Sequence, residues 1–439
     1  MNQVAGLFEK VSSRELRVGI IGLGYVGLPL AVAFARQGYT TIGFEVSREK
    51  AQHVNNGENY IADIDNNEFR ELVATRLLSA TTDFSLISNM DFIAICVPSP
   101  LDKFGQPDMS YIQSAVKNIG KHLSKSTVVV LESTTYPGTT EELIMPLLEN
   151  LSGLVCGLDF YLGYSPERID PGNSVYKTEN TPKVIGGVGQ EASELICAVY
   201  ESILSVEIYS VSSPSIAEME KLLENTYRYI NIAFINEMAM LCERMKINIW
   251  EAIGAASTKP YGFQAFYPGP GPGGHCIPLD PSYLSWKARE YVFHTSLIEA
   301  AAAINDRMPE YCVSRIAALL NNVKKPMNGS KVLVLGVAYK SNIDDYRESA
   351  ALKLIDLLEK RNANVSYYDP YITKYVFEGK TRIGLSSIDE YPISSYDIVV
   401  IATAHSNIDY AYVQAAAQMI FDTRNAMKDI QAYDNIHLL

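Results

Sequence analysis

Positive charge, tryptophan and cysteine are all scarce in this chain, and long apolar runs are missing. Against 50 Asp and Glu there are 37 Lys and Arg, a net charge of −13 over 439 residues. A field of that sign argues against sequence-independent binding to nucleic acid or anionic lipid. An anionic ligand must therefore meet a local cluster of Lys, Arg or backbone N–H groups. No apolar run approaches the roughly 18 residues of a membrane span. Met1 to Arg17 carries Glu9, Lys10, Arg14 and Glu15 and has no signal-peptide core. The six cysteines, Cys96, Cys156, Cys197, Cys242, Cys276 and Cys312, lie 34 to 60 residues apart with no CxxC pair. That spacing excludes a zinc-ribbon pattern and offers no disulfide framework, so a cytoplasmic protein without a metal site is expected. Short-period repeats and low-complexity segments are also lacking.

The composition is otherwise globular, 47% apolar and 20% charged, and the length suggests two or three domains. Short runs rich in Val, Ile and Phe (Arg17–Gly22, Thr40–Glu45, Asp91–Val97, Ser126–Glu132) alternate with helical patterns (Tyr25–Gln37, Ser47–Asn56, Ser110–Leu123, Thr139–Asn150). Such alternation predicts a parallel sheet covered on both faces. Phe160–Tyr164, Lys183–Ile185 and Val206–Val211 extend it, with a helix over 190–203. Strand signals vanish from Ser215 to about Ala256, where a long amphipathic helix is expected after Ser213–Pro214. A Gly/Pro-dense loop, Tyr267–Pro281, interrupts the helical region, which resumes over Tyr283–Asn322. After Lys324–Gly329 the βα alternation returns: Lys331–Gly336, a helix over 349–361, Asn364–Tyr368, Asp397–Ala402 and Met419–Asp422. The expected fold is α/β, with two Rossmann-like doubly wound parallel-sheet domains (1–212 and 326–439) joined by a long central helix and helical middle region (213–325). The outer apolar face of that helix needs cover, which suggests a homodimer or higher homo-oligomer.

Gly22-Leu23-Gly24-Tyr25-Val26-Gly27 follows a predicted strand and opens a helix at the start of a βαβ unit. In a dinucleotide site Gly22 makes the tight turn, Gly24 lets backbone approach a pyrophosphate, and Gly27 packs helix against strand. The helix N-terminus offers N–H groups to the phosphates. Glu45, 18 residues after Gly27, is placed to take the ribose hydroxyls and favours NAD over NADP. Arg48 is the dissenting cation, with an exposed helix-start position as its plainer explanation. A βαβ turn that merely needed glycines would leave Glu45 unexplained.

Gly269-Pro270-Gly271-Pro272-Gly273-Gly274-His275-Cys276-Ile277-Pro278-Leu279-Asp280-Pro281 is the most unusual stretch. Proline removes freedom and glycine opens backbone positions closed to other residues, so Cys276 is held on a loop almost without side chains. Cys96, Cys197, Cys242 and Cys312 sit in apolar helix or strand patterns and read as packing; Cys156 carries no motif. Asp280 can orient Cys276, handle a water's proton, or simply cap the loop. His275 is adjacent in sequence, and neighbouring side chains diverge, which argues against a Cys/His pair.

At these residues the sequence resembles the UDP-glucose/GDP-mannose dehydrogenase family. The resemblance runs through Gly22–Gly27, Val97-Pro98-Ser99-Pro100, Glu132-Ser133-Thr134-Thr135-Tyr136-Pro137-Gly138-Thr139-Thr140 and Tyr164-Ser165-Pro166-Glu167-Arg168. It continues through Lys221-Leu222-Leu223-Glu224-Asn225, the loop around Cys276, Ala338-Tyr339-Lys340, Tyr346-Arg347-Glu348-Ser349 and Asp422-Thr423-Arg424-Asn425. Ser165–Gly172, Thr258–Phe263 and Pro268–Glu290 resemble the N-acetylhexosamine branch, above all enzymes that oxidise UDP-N-acetylglucosamine for bacterial surface polysaccharides. Glu45 stands where Asp is more usual, and Ser99 where Thr is commoner.

The resemblance implies four-electron, NAD-dependent oxidation of a sugar C6 alcohol to the carboxylate through a thiohemiacetal and thioester on Cys276. It gives Lys221 and Asn225, four apart on a helix, to the reacting carbon, and Glu167, Thr134 and Asp280 to the hydrolytic water. Without it, Lys221 reads as a solvated charge between Glu218 and Glu224, and Glu167 as a surface partner of Arg168. Cofactor contacts are expected from Gly22, Gly24, Tyr25, Val26, Gly27, Glu45, Arg48, Pro98, Ser99 and Thr134. Substrate contacts are expected from Glu167, Arg168, Lys221, Asn225, Lys259, Gly273, Lys340 and Arg424. UDP-N-acetylgalactosamine, UDP-N-acetylmannosamine and UDP-glucose stay open as substrates. A two-electron hydroxyacid-type dehydrogenase would need neither Cys276 nor a second α/β domain, and a non-catalytic UDP-sugar-binding protein would not need Cys276, Lys221, Asn225 and Glu167.

Overall fold

The computed structural model describes residues 3–61, 64–169, 175–176, 180–274, 276–430 and 434–439. The chain divides into two compact units, Met1–Glu224 with Ser282–Val292, and Asn225–Pro281 with Phe293–Leu439. Each has its own sheet and its own core.

In the first unit the strands are β1 (Arg17–Ile21), β2 (Thr40–Phe44), β3 (Leu78–Thr81), β4 (Phe92–Ile95), β5 (Val128–Leu131), β6 (Tyr161–Tyr164), β7 (Lys183–Gly187) and β8 (Ile208–Val211). Their order in the sheet is β3-β2-β1-β4-β5-β6-β7-β8. The chain thus winds outward in both directions from β1, leaving a topological switch point between β1 and β4. Alternate residues of β4 and β5 enter opposite cores. Phe92, Ala94, Val128 and Val130 join Leu30, Phe34 and Tyr200 on one side. Ile93, Ile95, Val129 and Leu131 join Ile112, Ile144 and Leu162 on the other. Burial on both faces is why these strands are apolar throughout rather than alternating. The expectation of a wholly parallel sheet needs one correction. β7 runs antiparallel to β6, with Gly163 opposite Gly187, while β8 is parallel to β7. The backbones there are so close that a Cβ on Gly163 would lie 2.8 Å from the Gly186 carbonyl oxygen.

In the second unit β9 (Lys331–Leu335), β10 (Asn364–Tyr368), β13 (Ile398–Ile401), β14 (Ile420–Asp422) and β15 (Ile436–Leu438) form a parallel sheet in the order β10-β9-β13-β14-β15. A separate antiparallel hairpin pairs β11 (Lys374–Phe377) with β12 (Lys380–Ile383). The helix Ser296–Asn322 packs Met308, Cys312, Val313 and Ile316 into the core with β9 and β13.

The long helix expected to Ala256 is instead Pro214–Met245 followed by Ile249–Ala256. Lys246 adopts a left-handed φ of 59°, which stops the first helix, and the Asn248 side chain accepts the Trp250 and Glu251 N–H groups to start the second. Thr139–Asn150, expected as one helix, opens as a wider π-type turn over Thr139–Ile144 before the α-helix Met145–Ser152. Among the described residues no helix is long and apolar enough to cross a membrane.

Candidate active site

The glycine fingerprint sits where β1 ends. Gly22 has φ 91°, and a Cβ there would lie 2.8 Å from the Cys96 carbonyl oxygen. A Cβ on Gly27 would fall 1.9 Å from the Gly22 carbonyl oxygen, so the helix Gly27–Arg36 can approach β1 only without a side chain. Gly24 differs: nothing lies within 4 Å of its Cβ position. One glycine serves the turn, one the packing, and one leaves backbone open, as a pyrophosphate requires. Glu45, nearly buried at the end of β2, accepts the Leu23 N–H at 3.2 Å with Oε2 and the Val46 N–H at 2.9 Å with Oε1. The Tyr60 hydroxyl donates to the Leu23 carbonyl at 2.7 Å, and burial, then the charge on Glu45, pushes that phenol up to about 12. Tyr25 and Arg48 are exposed and Val26 is half-buried. These groups fit the adenosine end of NAD, with Glu45 within the cradle and Arg48 facing solvent.

Across the switch point, Pro98 is exposed and Ser99 buried, its carbonyl accepting the Tyr283 hydroxyl at 2.9 Å. Thr134 follows β5 and is half-buried. The turn after it is fixed by Glu218 of the long helix, which accepts the Gly138 N–H at 2.6 Å, the Thr140 N–H at 2.9 Å and the Thr140 hydroxyl at 2.6 Å. Burial pushes the Glu218 carboxyl up to about 7 against those hydrogen bonds. Glu167 Oε1 accepts the N–H groups of Arg168 and Ile169, both at 2.7 Å. The Arg168 guanidinium turns away to Glu224 (2.9 Å) and Glu220 (3.3 Å). Lys221 is buried at 4% exposure. The solvated-face alternative for it therefore fails: Glu218 is committed to the Gly138–Thr140 turn and Glu224 to Arg168.

In the second unit, Asn225 Nδ2 donates to Asp280 Oδ2 at 2.6 Å, and both side chains are buried. Cys276 is half-buried, and its carbonyl accepts the Asp280 N–H at 2.9 Å and the Leu279 N–H at 3.2 Å, closing a single turn that places acid and thiol on one short segment. The glycines upstream are pressed against neighbours. A Cβ on Gly273 would lie 2.8 Å from Tyr339 Cβ, and one on Gly269 would lie 2.3 Å from an Arg424 nitrogen. Gly269 N–H donates to Asn236 Oδ1 at 3.0 Å, and Arg424 Nε donates to the Ala402 carbonyl at 2.9 Å. Lys340 is half-buried and Lys259 exposed, its ammonium 4.8 Å over the Tyr261 ring. His275 and the Asp170–Gly172 part of the Ser165–Gly172 phrase lie outside the described residues. Of the cysteines read as packing, Cys96 and Cys312 are buried, and Cys197 and Cys242 half-buried against their cores. Among the described residues no three His, Cys, Asp or Glu side chains cluster to hold a metal ion.

Sequence reasoning missed two groups. Asp369, just after β10, occupies the place Glu45 has after β2, but its capacity is filled. It accepts N–H groups from Val337 (2.7 Å), Ala338 (3.0 Å), Tyr371 (2.9 Å) and Ile372 (3.0 Å) and pairs with His405 Nε2 at 3.0 Å. Its position after Tyr368 was the available signal. The second sheet thus shapes its loop after β9 with an acid that has no lone pair left for a ribose. The other missed group is Lys183 with Glu132 and Tyr200; a lysine opening the buried strand β7 was its signal.

A doubly wound sheet with this glycine cradle and an acid after β2 defines a dinucleotide-binding enzyme fold. Residues 16–204, 215–307 and 333–429 match, in turn, the NAD binding, central and UDP binding domains of the UDP-glucose/GDP-mannose dehydrogenase family, and the chain belongs to that family of NAD-dependent UDP-sugar dehydrogenases. It is 36% identical over 412 residues to protein CapL of Staphylococcus aureus, covering 93% of this chain and 95% of the relative. A UDP-N-acetyl-D-glucosamine 6-dehydrogenase of Pseudomonas aeruginosa is 35% identical over 393 residues, 90% of this chain and 91% of that one. Among solved structures, the UDP-D-ManNAc dehydrogenase of Pyrococcus horikoshii superposes with a TM-score of 0.87 at 32% identity, covering 96% of this chain and 99% of that one.

Proposed function

We propose that this enzyme oxidises C6 of UDP-N-acetyl-D-glucosamine from alcohol to carboxylate, with Cys276 as covalent nucleophile, in making precursors of surface polysaccharide. The observation that carries the reading is Cys276 on its Gly/Pro loop, one turn before an Asp280 that is hydrogen-bonded to Asn225. NAD+, when bound, accepts the electron pair released at C6 in each oxidation. Gly22, Gly24, Gly27 and Glu45 hold its adenosine and pyrophosphate, with Tyr25, Val26, Pro98, Ser99 and Thr134 beside them. Lys340 and Arg424 take the UDP phosphates.

The protein's chemical task is to retain a half-oxidised sugar. The Cys276 thiolate adds to the C6 aldehyde, giving a thiohemiacetal whose oxidation yields a thioester. Lys221 steadies the developing oxyanion and Asn225 donates a hydrogen bond to it, and preorganised donors of this kind contribute about 3 kcal/mol each. Glu167 and Thr134 position the water that hydrolyses the thioester, and Asp280 orients the thiol. The identity to a relative named for UDP-N-acetyl-D-glucosamine supports this sugar. UDP-N-acetylmannosamine is the second reading, favoured by the structural likeness to a UDP-D-ManNAc dehydrogenase. Exposed Met219, Leu223, Tyr227, Phe234 and Leu241, spaced along one face of the helix Pro214–Met245, support assembly as a homodimer.

Purified enzyme with UDP-N-acetylglucosamine and NAD+ should form two NADH per sugar, with a higher kcat/KM than UDP-N-acetylmannosamine, UDP-N-acetylgalactosamine or UDP-glucose. Cys276→Ser should lower turnover at least about 1,000-fold. One NADH per sugar would point to a two-electron enzyme, and none to a binding protein.

A further inference from the structure

Behind Glu167 lies an ionic network for which the reaction so far has no use. The Lys183 ammonium, 7% exposed at the start of β7, donates to Glu132 Oε2 at 2.7 Å and stands 3.9 Å from Glu167 Oε2. It also lies 4.9 Å over the Tyr200 ring, and the Tyr200 hydroxyl donates to the other oxygen of Glu132. Burial opposes charge on Lys183, but Glu132 and Glu167 outweigh it and hold the ammonium protonated above its ordinary range. The buried Cys96 thiol beside the network is pushed well up by desolvation and stays neutral. Two carboxylates therefore share one fixed cation, and only one of them is bonded to it.

That asymmetry has a chemical meaning. A buried lysine used only to neutralise Glu132 would need no second acid. Glu167 Oε1 is already taken by two backbone N–H groups, and at 3.9 Å Lys183 reaches Oε2 as a charge, not as a hydrogen-bond donor. Oε2 thus keeps its lone pairs for a water, with the ammonium fixed beside it.

Resting on the reaction proposed above, we infer that Lys183, pinned by Glu132 and Tyr200, is a positioning residue that holds Glu167 in place as the base for thioester hydrolysis and takes no part in the oxidations. In that step water adds to the thioester carbon and passes a proton to Glu167. The C–S bond then breaks, its electron pair leaving on Cys276, Glu167 returns its proton to the thiolate, and the sugar acid gives water's second proton to solvent and departs as the carboxylate.

Removing Lys183 alone would strand a buried carboxylate, so the test uses Lys183→Met with Glu132→Gln in one protein, which removes both charges. With UDP-N-acetylglucosamine and NAD+, the rapid first NADH burst should stay within 3-fold of wild type while steady-state turnover falls at least 30-fold. Mass spectrometry of acid-quenched enzyme should find the acyl adduct accumulating on Cys276. Lys183→Arg, which keeps a cation, should restore turnover to within about 5-fold. Equal loss in burst and steady state, or no adduct, would overturn the role of Lys183. Failure of the wild-type enzyme to give two NADH per sugar would instead overturn the parent reaction.

Discussion

At the scale of single residues, the three glycines after β1 make different demands although the sequence writes them alike. Gly27→Ala puts a Cβ 1.9 Å from a backbone oxygen and should destabilise the fold by at least about 3 kcal/mol in urea unfolding. Gly24→Ala meets no neighbour within 4 Å and should fold with an unchanged midpoint, yet bind NAD at least 10-fold more weakly by calorimetry. Equal loss of stability in both variants would remove the phosphate role of Gly24. The fingerprint, Glu45 and Cys276 were legible because each breaks its local pattern: glycines at a strand end, an acid after an apolar strand, a thiol among Gly and Pro. Lys183, Glu132 and His405 were not, because their pairings join segments 51 and 36 residues apart that only the sheet brings together.

Elements were legible where burial is two-sided. β4 and β5 lie inside the stretches expected from their Val and Ile content, and Asn364–Tyr368 has the expected bounds. The helices Gln3–Ser13 and Asn66–Ala74, the strand β3 and the β11–β12 hairpin were missed, being short, polar or half-exposed. Two of the overlooked boundaries carry capping signals all the same: Asp65 with Glu68, and Asn248 with Glu251. The Glu218 link between the long helix and the Gly138–Thr140 turn also gives a pH dependence. Below the ordinary carboxyl range, native and unfolded chains both hold the proton. As pH rises toward 7 the unfolded chain ionises first, so native stability falls, by on the order of 3 kcal/mol across that interval. Glu218→Gln should abolish this component, seen as a wild-type-minus-variant stability difference that declines between pH 5 and pH 8. A difference constant with pH would mean that Glu218 titrates alike in both states.

For the whole molecule, the two sheets divide the ligands between them. NAD at 100 times its Kd should stabilise the protein by about 2.7 kcal/mol and slow amide exchange over Gly22–Gly27 and at Glu45. UDP should instead slow exchange over Val337–Asn342 and Asp422–Asn425. Protection by NAD of the second set would reverse the assignment. The Gly/Pro loop of the second unit, wedged against Tyr339 and Arg424, also bears on engineering. A segment so nearly devoid of side chains offers mutational libraries almost nothing to vary, and any added methyl at Gly269 or Gly273 meets a neighbour. On the reaction proposed above, retuning which hexose is accepted would have to come from the aromatic and cationic residues around that wedge, with the wedge itself left untouched.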